Sequence, residues 1–338
     1  MDPILIDGMG SAALLPSAQV PPPAHNGRPW LDRALASGLT AMNVTLGVTG
    51  VAMGTDDFRT LLHTMHGYFC YFELEPRLIH VQKADDIRRA AREKRLGIIF
   101  GCQGIATKLE GDPSLILITA RLGQRIMQLM YNERSALGCG ALETEDTGLT
   151  AFGRVCIREI DDCRMVVDLA HAGARTARDA ITFARGTPII SHGNVRALTA
   201  HARNAPDDVL RALAERGGVI GITAYAPFCE KVGQGRPTLD DMIDHVAYVA
   251  DRFGVDHVGI GSDFFEGESF VRFERFFRRR YPAIVGHYNI DTVYTEGFGM
   301  VDDFAALPPA LRRRGFAQAD VEKILGGNFL RVFESVWG

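Results

Sequence analysis

Two histidines and one aspartate each follow a strand-like apolar run, and together they suggest a metal site. His171 ends the run MVVDLAH, His192 ends PIISH, and Asp263 ends HVGIGSD. A catalytic divalent metal typically takes three ligands of these types and keeps one position open for water. A lone histidine at a strand end is more often a core residue, so the prediction depends on the combination.

Eight short apolar runs are the candidate strands that position these side chains. Most are continuous rather than alternating, as in strands buried on both faces of a parallel sheet. The runs cover residues 4–7, 39–46, 97–103, 126–131, 165–171, 188–192, 219–225 and 257–263. Helical patterns between them cover residues 84–94, 176–184, 207–216 and 239–253. This alternation predicts an α/β fold, a (β/α)8 TIM-like barrel, as a single domain over residues 1–338. Helices within 303–338 are expected to pack on it.

Five polar residues fall at the ends of five predicted strands. Catalytic residues of such barrels come from the C-terminal ends of the strands. Five strand ends with polar residues are harder to ascribe to chance than one, so we expect these side chains to share a site. They are Gln103, Tyr131, His171, His192 and Asp263.

The composition indicates a folded enzyme without nucleic-acid or membrane partners. The chain has 338 residues, 46% hydrophobic, and a net charge of -4, which gives no reason to expect either partner. Six cysteines form no CxxC pair, so reduced thiols are expected. The start MDPILID lacks the basic region of a secretory signal, and no apolar run is long enough to span a bilayer. We therefore expect a cytoplasmic enzyme that acts on a small molecule.

Several sequence blocks resemble the membrane (renal) dipeptidases, peptidase family M19. DTGLTAFGR at 146–154 resembles the family's GLTxFG block, VDLAH at 167–171 its DLSH, and SHGNVR at 191–196 its SHSNxR. Residues 203–204, 217–221, 259–263 and 327–332 also fit. The resemblance implies an amidohydrolase-like barrel, a dipeptidase site with two zinc ions, and a homodimer.

Several of the family's site positions carry other residues here. The resemblance implies one zinc bound by a His-x-Asp pair after the first strand and by an Asp on the last strand. It implies a second zinc bound by two histidines, with a Glu bridging both ions. In this chain the first-strand pair is Met9 and Ser11, the bridging position is Gln103, and the substrate-side histidine is Tyr131. The positions that match the family are His171, His192, Arg196 and Asp263.

These departures predict that the two-zinc site is lost. Two zinc ions carry four positive charges, and among the matched positions only Asp263 is a carboxylate, so burial of the excess charge would be costly. Gln103 is neutral, and Met9 is a soft ligand that does not suit an oxygen-rich site. We therefore expect one divalent metal, Zn²⁺, bound by His171 and His192 with Asp263 or the oxygen of Gln103. A second metal is not expected.

The remaining site residues receive roles by their chemistry. Asp263 is a ligand or the general base, and Tyr131 hydrogen-bonds a developing oxyanion. Arg196 pairs with a substrate carboxylate, and Asn132 is a substrate contact beside Tyr131. Structural roles stay open: Asp263 could cap a loop, and Arg196 could pair with a carboxylate on the rim. Gln103 and Tyr131 could only hydrogen-bond in a filled pocket.

Three functions remain open from the sequence. The first is a single-metal hydrolase of an amide-type C–N bond in a small carboxylate-bearing substrate, with ordinary dipeptidase activity disfavoured. The second is a lyase or isomerase that uses Tyr131 and Asp263 as acid and base. The third is an inactive binding protein that keeps the pocket and Arg196. The aromatic and basic segment 266–289 is predicted as a long loop or short helix beside the site.

Overall fold

Parallel strands form the centre of the computed structural model, which describes residues 3–10, 27–47, 56–266 and 273–338. Ser11 lies outside the described residues. The strands are β1 Ile6–Gly10, β2 Ala41–Thr45, β3 Leu78–Val81, β4 Leu96–Cys102, β5 Gln124–Gln128, β6 Val166–Asp168, β7 Ile189–Gly193, β8 Val219–Ile222 and β9 Val258–Ile260.

Eight of these strands close into a barrel. The ring runs β1, β2, β4, β5, β6, β7, β8, β9 and back to β1, and every neighbouring pair is parallel. The predicted (β/α)8 architecture is therefore confirmed, and each predicted apolar run overlaps one strand of the ring. Strand β3, which the sequence did not indicate, adds to the same sheet by pairing with β4. Tyr131 and His171, predicted at strand ends, lie in the loops that follow β5 and β6.

Helices surround the barrel and connect its strands. Helix α10 begins at a capping box in which the Thr238 N–H donates to Asp241 Oδ2 at 2.8 Å. The helices are α1 Trp30–Ala36, α2 Phe58–Leu74, α3 Ala84–Glu93, α4 Ile105–Lys108, α5 Leu115–Arg121, α6 Ala151–Asp162, α7 Ala174–Phe183, α8 Asp207–Glu215, α9 Ala226–Cys229, α10 Leu239–Phe253, α11 Arg278–Arg280, α12 Pro282–Val285, α13 Leu307–Arg313, α14 Gln318–Glu322 and α15 Asn328–Trp337. Short 3-10 or π turns cover Val255–His257, Phe273–Phe277, Val301–Ala306 and Lys323–Gly327.

The last helix closes the N-terminal end of the barrel. Phe329 and Phe333 of α15 share a buried cluster with residues near the start of the strands: Ile6, Ala41, Ile99, Ile126, Val166, Ile189 and Val219. The Phe329 ring lies so close to Gly8 and Gly259 that a Cβ at either glycine would be 2.7 Å from it. Helix α15 therefore packs on this end of the barrel, and the opposite end is left for a site. That all 338 residues form one domain stays a prediction.

Glycines in or directly after three other strands let their backbones approach that of β7. A Cβ at Gly8, Gly221 or Gly261 would lie 2.6, 2.1 or 2.0 Å from the carbonyl oxygen of Ser191. Real Cβ atoms do not come this close, so strands β1 and β8 and the end of β9 require glycine there. This close approach fixes the backbone next to His192.

Candidate functional site

Two histidines converge at the C-terminal end of the barrel. His171 follows β6 and His192 lies in β7, and their Nε2 atoms are 2.9 Å apart. Both rings are buried. The other ring nitrogen of each histidine, Nδ1, is hydrogen-bonded to an oxygen. His171 Nδ1 lies 2.7 Å from Asn132 Oδ1, and His192 Nδ1 lies 2.9 Å from Ser191 Oγ. Because the amide oxygen only accepts, His171 carries its proton on Nδ1 and turns the Nε2 lone pair toward His192.

The histidine pair fits two ligands of one divalent cation. Burial, with the positive charge of Arg203, holds the pKa of both imidazoles well below the usual 6.5, so both rings are neutral. Neutral imidazoles whose other ring nitrogen is hydrogen-bonded are typical of metal-binding histidines. Within residues 3–10, 27–47, 56–266 and 273–338, no group of three His, Cys, Asp or Glu side chains is placed to hold an ion. The histidines are therefore two converging ligands without a third of these types in the part of the chain that the structure describes.

Met9 and Gln103, two of the positions expected for a second metal, form a neutral hydrogen-bonded cluster with Thr45. Gln103 Nε2 donates to the sulfur of Met9 at 3.2 Å, and Thr45 Oγ1 donates to the same sulfur at 3.3 Å. Sulfur can only accept here, which fixes the Gln103 amide with its N–H group toward Met9. A cluster with no carboxylate, and with donors directed inward, does not fit a second cation.

Asp263 follows β9 and is held by its backbone. Its N–H donates to Met9 O at 2.8 Å, and Tyr294 Oη donates to its carbonyl oxygen at 2.8 Å. Its φ of +57° lies in the left-handed region, as does the φ of +66° at His171, and such conformations of non-glycine residues cluster at functional sites. Burial raises the pKa of the Asp263 carboxyl to about 7 against the opposing charge of Arg203. The carboxyl therefore titrates near neutral pH.

A buried arginine in the loop between β7 and α8 has unused donors. Arg203 is 6% exposed, and its Nε and Nη2 have no hydrogen-bond partner among the described residues. Burial lowers its pKa to about 10, although the charge of Asp263 and the nearby Tyr131 and Tyr225 oppose this change. The buried Tyr225 hydroxyl also lacks a partner within the described part of the chain. Burial of a donor without a partner costs free energy, so Arg203 and Tyr225 are suited to bind a hydrogen-bond acceptor of a ligand.

Sequence reasoning missed these two residues. Arg203 was included in a block that fits the family, without a role, and Tyr225 was only the end of an apolar run. The available signal was an arginine in the loop that follows the strand of His192. Neither its burial nor its unpaired donors can be read from that pattern.

Arg196 and Asn132 both have hydrogen-bond partners within the protein. Arg196 Nε donates to Asn204 O and its Nη2 to Ala202 O, each at 2.9 Å, so these N–H groups brace the loop that carries Arg203. Asn132 is fully buried and holds His171. Direct substrate contacts of either residue stay predictions.

Tyr131 lies between the histidine pair and an open cleft. Its ring stacks on His171 with centroids 4.3 Å apart and an interplanar angle of 19°. It also lines a cleft of about 530 Å³, together with Gln103 and Tyr281. Burial raises the pKa of the Tyr131 hydroxyl, so the hydroxyl remains a hydrogen-bond donor. Arg280 and Tyr281 bring the described part of segment 266–289 to the cleft.

Comparisons with known proteins agree with the barrel and with the family that the sequence blocks resemble. The eight-stranded parallel barrel is the (β/α)8 architecture of TIM-barrel metallopeptidases. The family model of the membrane dipeptidases, peptidase family M19, matches residues 25–276. The chain therefore belongs to peptidase family M19, as its sequence blocks indicated. No helix within the described ranges is both long and apolar enough to cross a membrane.

The curated relatives are longer than this chain. It is 29% identical over 295 residues to the dipeptidase tcpJ of Claviceps purpurea (strain 20.1), an alignment that covers 84% of this chain and 63% of the relative. It is 36% identical over 191 residues to the uncharacterized dipeptidase C965.12 of Schizosaccharomyces pombe, with coverage of 54% and 45%. The chain thus spans less than two thirds of the length of either.

Solved structures share the whole fold. An amidohydrolase from Pseudomonas aeruginosa has a TM-score of 0.84 and 28% identity, with coverage of 100% of this chain and 97% of that one. A metallopeptidase from Rhodobacter sphaeroides, liganded with a phosphinate mimic of the dipeptide L-Ala-D-Ala, has a TM-score of 0.81 and 19% identity over 99% and 100% of the two chains. The second likeness shows the fold alone.

Proposed function

We propose that this protein hydrolyses an amide-type C–N bond in a small carboxylate-bearing substrate, with a reduced site that binds one divalent metal ion. Membership in peptidase family M19 supports hydrolysis as the reaction class. The observation that carries the substrate class is Arg203, a buried guanidinium beside Asp263 and Tyr131, two of whose nitrogens have no partner among the described residues.

Arg203 and Tyr225 would bind the substrate carboxylate. The planar guanidinium can make two parallel hydrogen bonds to a carboxylate, and the Tyr225 hydroxyl can add a third. Binding would pair donors that are buried without a partner from residues 3–10, 27–47, 56–266 and 273–338. We assign this role to Arg203 rather than to Arg196, because the Nε and Nη2 groups of Arg196 are used by loop carbonyls.

Asp263 and Tyr131 would serve the bond cleavage. Asp263 would accept a proton from the attacking water while the oxygen of that water bonds to the carbonyl carbon. It would then pass the proton to the leaving nitrogen as the C–N bond breaks. Tyr131 would donate a hydrogen bond to the carbonyl oxygen as it gains negative charge. The Asp263 and Tyr131 side chains interact electrostatically with each other and with Arg203, which supports a common substrate position.

His171 and His192 would hold the metal ion, which we take to be zinc. When bound, such an ion polarises a carbonyl group and lowers the pKa of a bound water. The neutral cluster of Met9, Gln103 and Thr45 would bind none. Elemental analysis after addition of zinc should give about one ion per chain, and His192→Ala should lose it. Two ions per chain would contradict the reduced site, and turnover that persists without any metal would contradict the role of the histidine pair.

The carboxylate assignment can be tested with matched substrates and matched variants. N-acetyl amino acids and their C-terminal amides differ only in the charge that Arg203 would recognise. Arg203→Lys should raise KM for the acids by roughly 10- to 100-fold, because lysine cannot form the paired hydrogen bonds. Arg196→Lys keeps a donor toward the loop and should change KM little. Equal turnover of acids and amides by the unmodified protein would refute the assignment, and ligand binding without turnover would favour a binding protein.

A further inference from the structure

The cleft beside Tyr131 has an aromatic wall that extends the site away from the histidines. Tyr131 lines the cleft with one part of its surface and stacks on His171, which does not line it. Tyr281 meets the Tyr131 ring edge-on, with centroids 5.9 Å apart and an interplanar angle of 61°. Leu129 and Ala106 add apolar surface. A group bound near Tyr131 can therefore continue into an aromatic and apolar space.

An ion pair and further rings hold this wall in place. Arg280 donates to both carboxylate oxygens of Glu133, from Nε at 3.1 Å and from Nη2 at 2.6 Å. Arg280 Nε also donates to Tyr281 Oη at 2.9 Å, and Phe277 packs on the Tyr281 ring with centroids 5.4 Å apart. This two-point contact ties the end of α11 to the loop after β5. The wall is thus built before a ligand arrives, which reduces the ordering cost of binding.

The charged side chains around the cleft already have partners. Besides the Arg280–Glu133 pair, Arg134 donates to Glu145 O at 3.1 Å and to Thr147 Oγ1 at 3.3 Å. Lys108 pairs with Asp56 at 2.6 Å. Three carboxylates (Asp56, Asp57 and Glu133) and two guanidinium groups (Arg134 and Arg280) line the cleft, so this lining has one negative charge in excess and favours an uncharged group over a second anion.

We propose that the substrate carries a planar aromatic acyl group, which lies in this cleft against Tyr131 while the carboxylate lies at Arg203. The proposal rests on the proposed function and specifies its substrate class. A volume of about 530 Å³ exceeds what an acetyl or alanyl group would fill and lies in the usual range of drug-sized ligand sites, roughly 300–1,000 Å³. Aromatic rings prefer offset-stacked or edge-to-face contacts, both of which a wall of two tyrosines can offer.

A graded series of acyl groups on one amino acid tests the proposal. N-acetyl-, N-benzoyl- and N-(2-naphthoyl)-L-alanine keep the carboxylate and the scissile amide and change only the acyl group. Both kcat/KM and the affinity measured by calorimetry should rise from acetyl to naphthoyl, by at least about tenfold overall. Ala106→Trp places an indole in the cleft and should reduce the values for the naphthoyl compound to those of the acetyl compound. Ala319→Trp, at an exposed site on α14, is the matched control and should change neither.

The outcomes separate this proposal from the proposed function. A flat series, or equal losses for all three compounds in Ala106→Trp, would overturn the aromatic substrate class, while Arg203-dependent hydrolysis of the acetyl compound would leave the proposed function standing. Cleft-dependent binding without hydrolysis would support the ligand class and refute the hydrolase. Failure of the unmodified protein to bind any of the three would refute both.

Discussion

Single side chains set the charge balance of this site. Two of the positions that would supply ligands to a second metal are Met9 and Gln103, and their side chains bind each other instead. The remaining strong charges are Asp263 and the buried Arg203, which oppose each other's pKa shifts. The charges of Asp263 and Arg203 offset each other, so one bound divalent ion would leave the site positive, and the substrate carboxylate would offset part of that charge.

Asp263 should give the activity an acid limb near neutral pH. A general base acts only when deprotonated, and burial raises the pKa of this carboxyl from 3.8 to about 7. We expect kcat/KM to be half-maximal near pH 7 and to fall about tenfold per pH unit below it. Asp263→Asn should lose at least about 100-fold in kcat, whereas Asp112→Asn, at an exposed aspartate, should keep the full profile. Steady-state rates from pH 5 to 9 check this, and a rate that stays constant across that range would exclude Asp263 as the base.

The side chains of the candidate site lie near the ends of strands or in the loops that follow them. The strands place His192 and Met9 directly, while His171, Asp263 and Tyr131 lie in the loops that follow. The seam between β1 and β9 is secured by Asp7, whose carboxylate accepts from Ser262 N at 2.8 Å and from Ser262 Oγ at 2.6 Å. Because Asp263 follows Ser262 directly, this seam also orients the proposed base.

Asp7 should make the stability of the barrel fall as pH rises. Burial raises its folded-state pKa from 3.8 to about 7, against the hydrogen bonds from Ser262 and Met9. The folded protein then keeps a proton that the unfolded chain releases, so this stability is complete below about pH 4 and is lost as pH rises through about 7. Each pKa unit corresponds to about 1.4 kcal/mol, so the loss from this group is on the order of 4 kcal/mol.

Urea unfolding at pH 5 and pH 8 measures that contribution. In Asp7→Asn the amide oxygen can still accept from Ser262 N, but no charge has to be buried at high pH. The free energy of unfolding should therefore fall less between the two pH values than it does in the unmodified protein. Asp240→Asn, at an exposed position on α10, should leave the pH dependence unchanged. Identical pH slopes in Asp7→Asn and the unmodified protein would show that Asp7 is not the group responsible.

The two ends of the barrel have different roles: the N-terminal end stabilises the fold, and the C-terminal end holds the candidate site. Helix α15 fills the N-terminal end of the barrel with Phe329 and Phe333, while the histidines, Arg203 and the aromatic cleft lie around the C-terminal end. Such barrels commonly divide these tasks between their two ends. A cytoplasmic location and a homodimer, both expected from the sequence, stay predictions.

Removal of the Phe329 side chain from the N-terminal end of the barrel should weaken the fold without direct damage to the site. Phe329 is fully buried, and Phe329→Ala should cost about 3–5 kcal/mol of unfolding free energy, because it leaves a cavity against Gly8 and Gly259. Leu74→Ala, at an 81% exposed leucine, should cost less than about 0.5 kcal/mol. Chemical denaturation checks both. If the two variants were equally stable, the last helix would not close the barrel as described.

The sequence by itself determined the barrel, the family and the histidine pair. Strands buried on both faces must be continuously apolar, and polar residues that end such runs are exceptions visible in the chain itself. The family blocks around His171 and His192 also predicted that these histidines belong to the site. Met9 and Gln103, which differ from the family's residues, predicted a site with fewer charges. These are local properties of the chain, which is why sequence reasoning reached them.

Only the tertiary structure decided which groups are left without partners. Arg196 and Arg203 lie in the same loop, and the fold binds Arg196 to backbone carbonyls while it buries Arg203 with two nitrogens that no described residue contacts by a hydrogen bond. The stacking of Tyr131 on His171, and the cleft beyond it, likewise require segments that are far apart in the chain. Strand β3 was missed because its short run LIHV includes a histidine, and its place is set by pairing with β4. Whether a hydrogen bond is satisfied depends on the partners that folding brings together, and no local pattern records them.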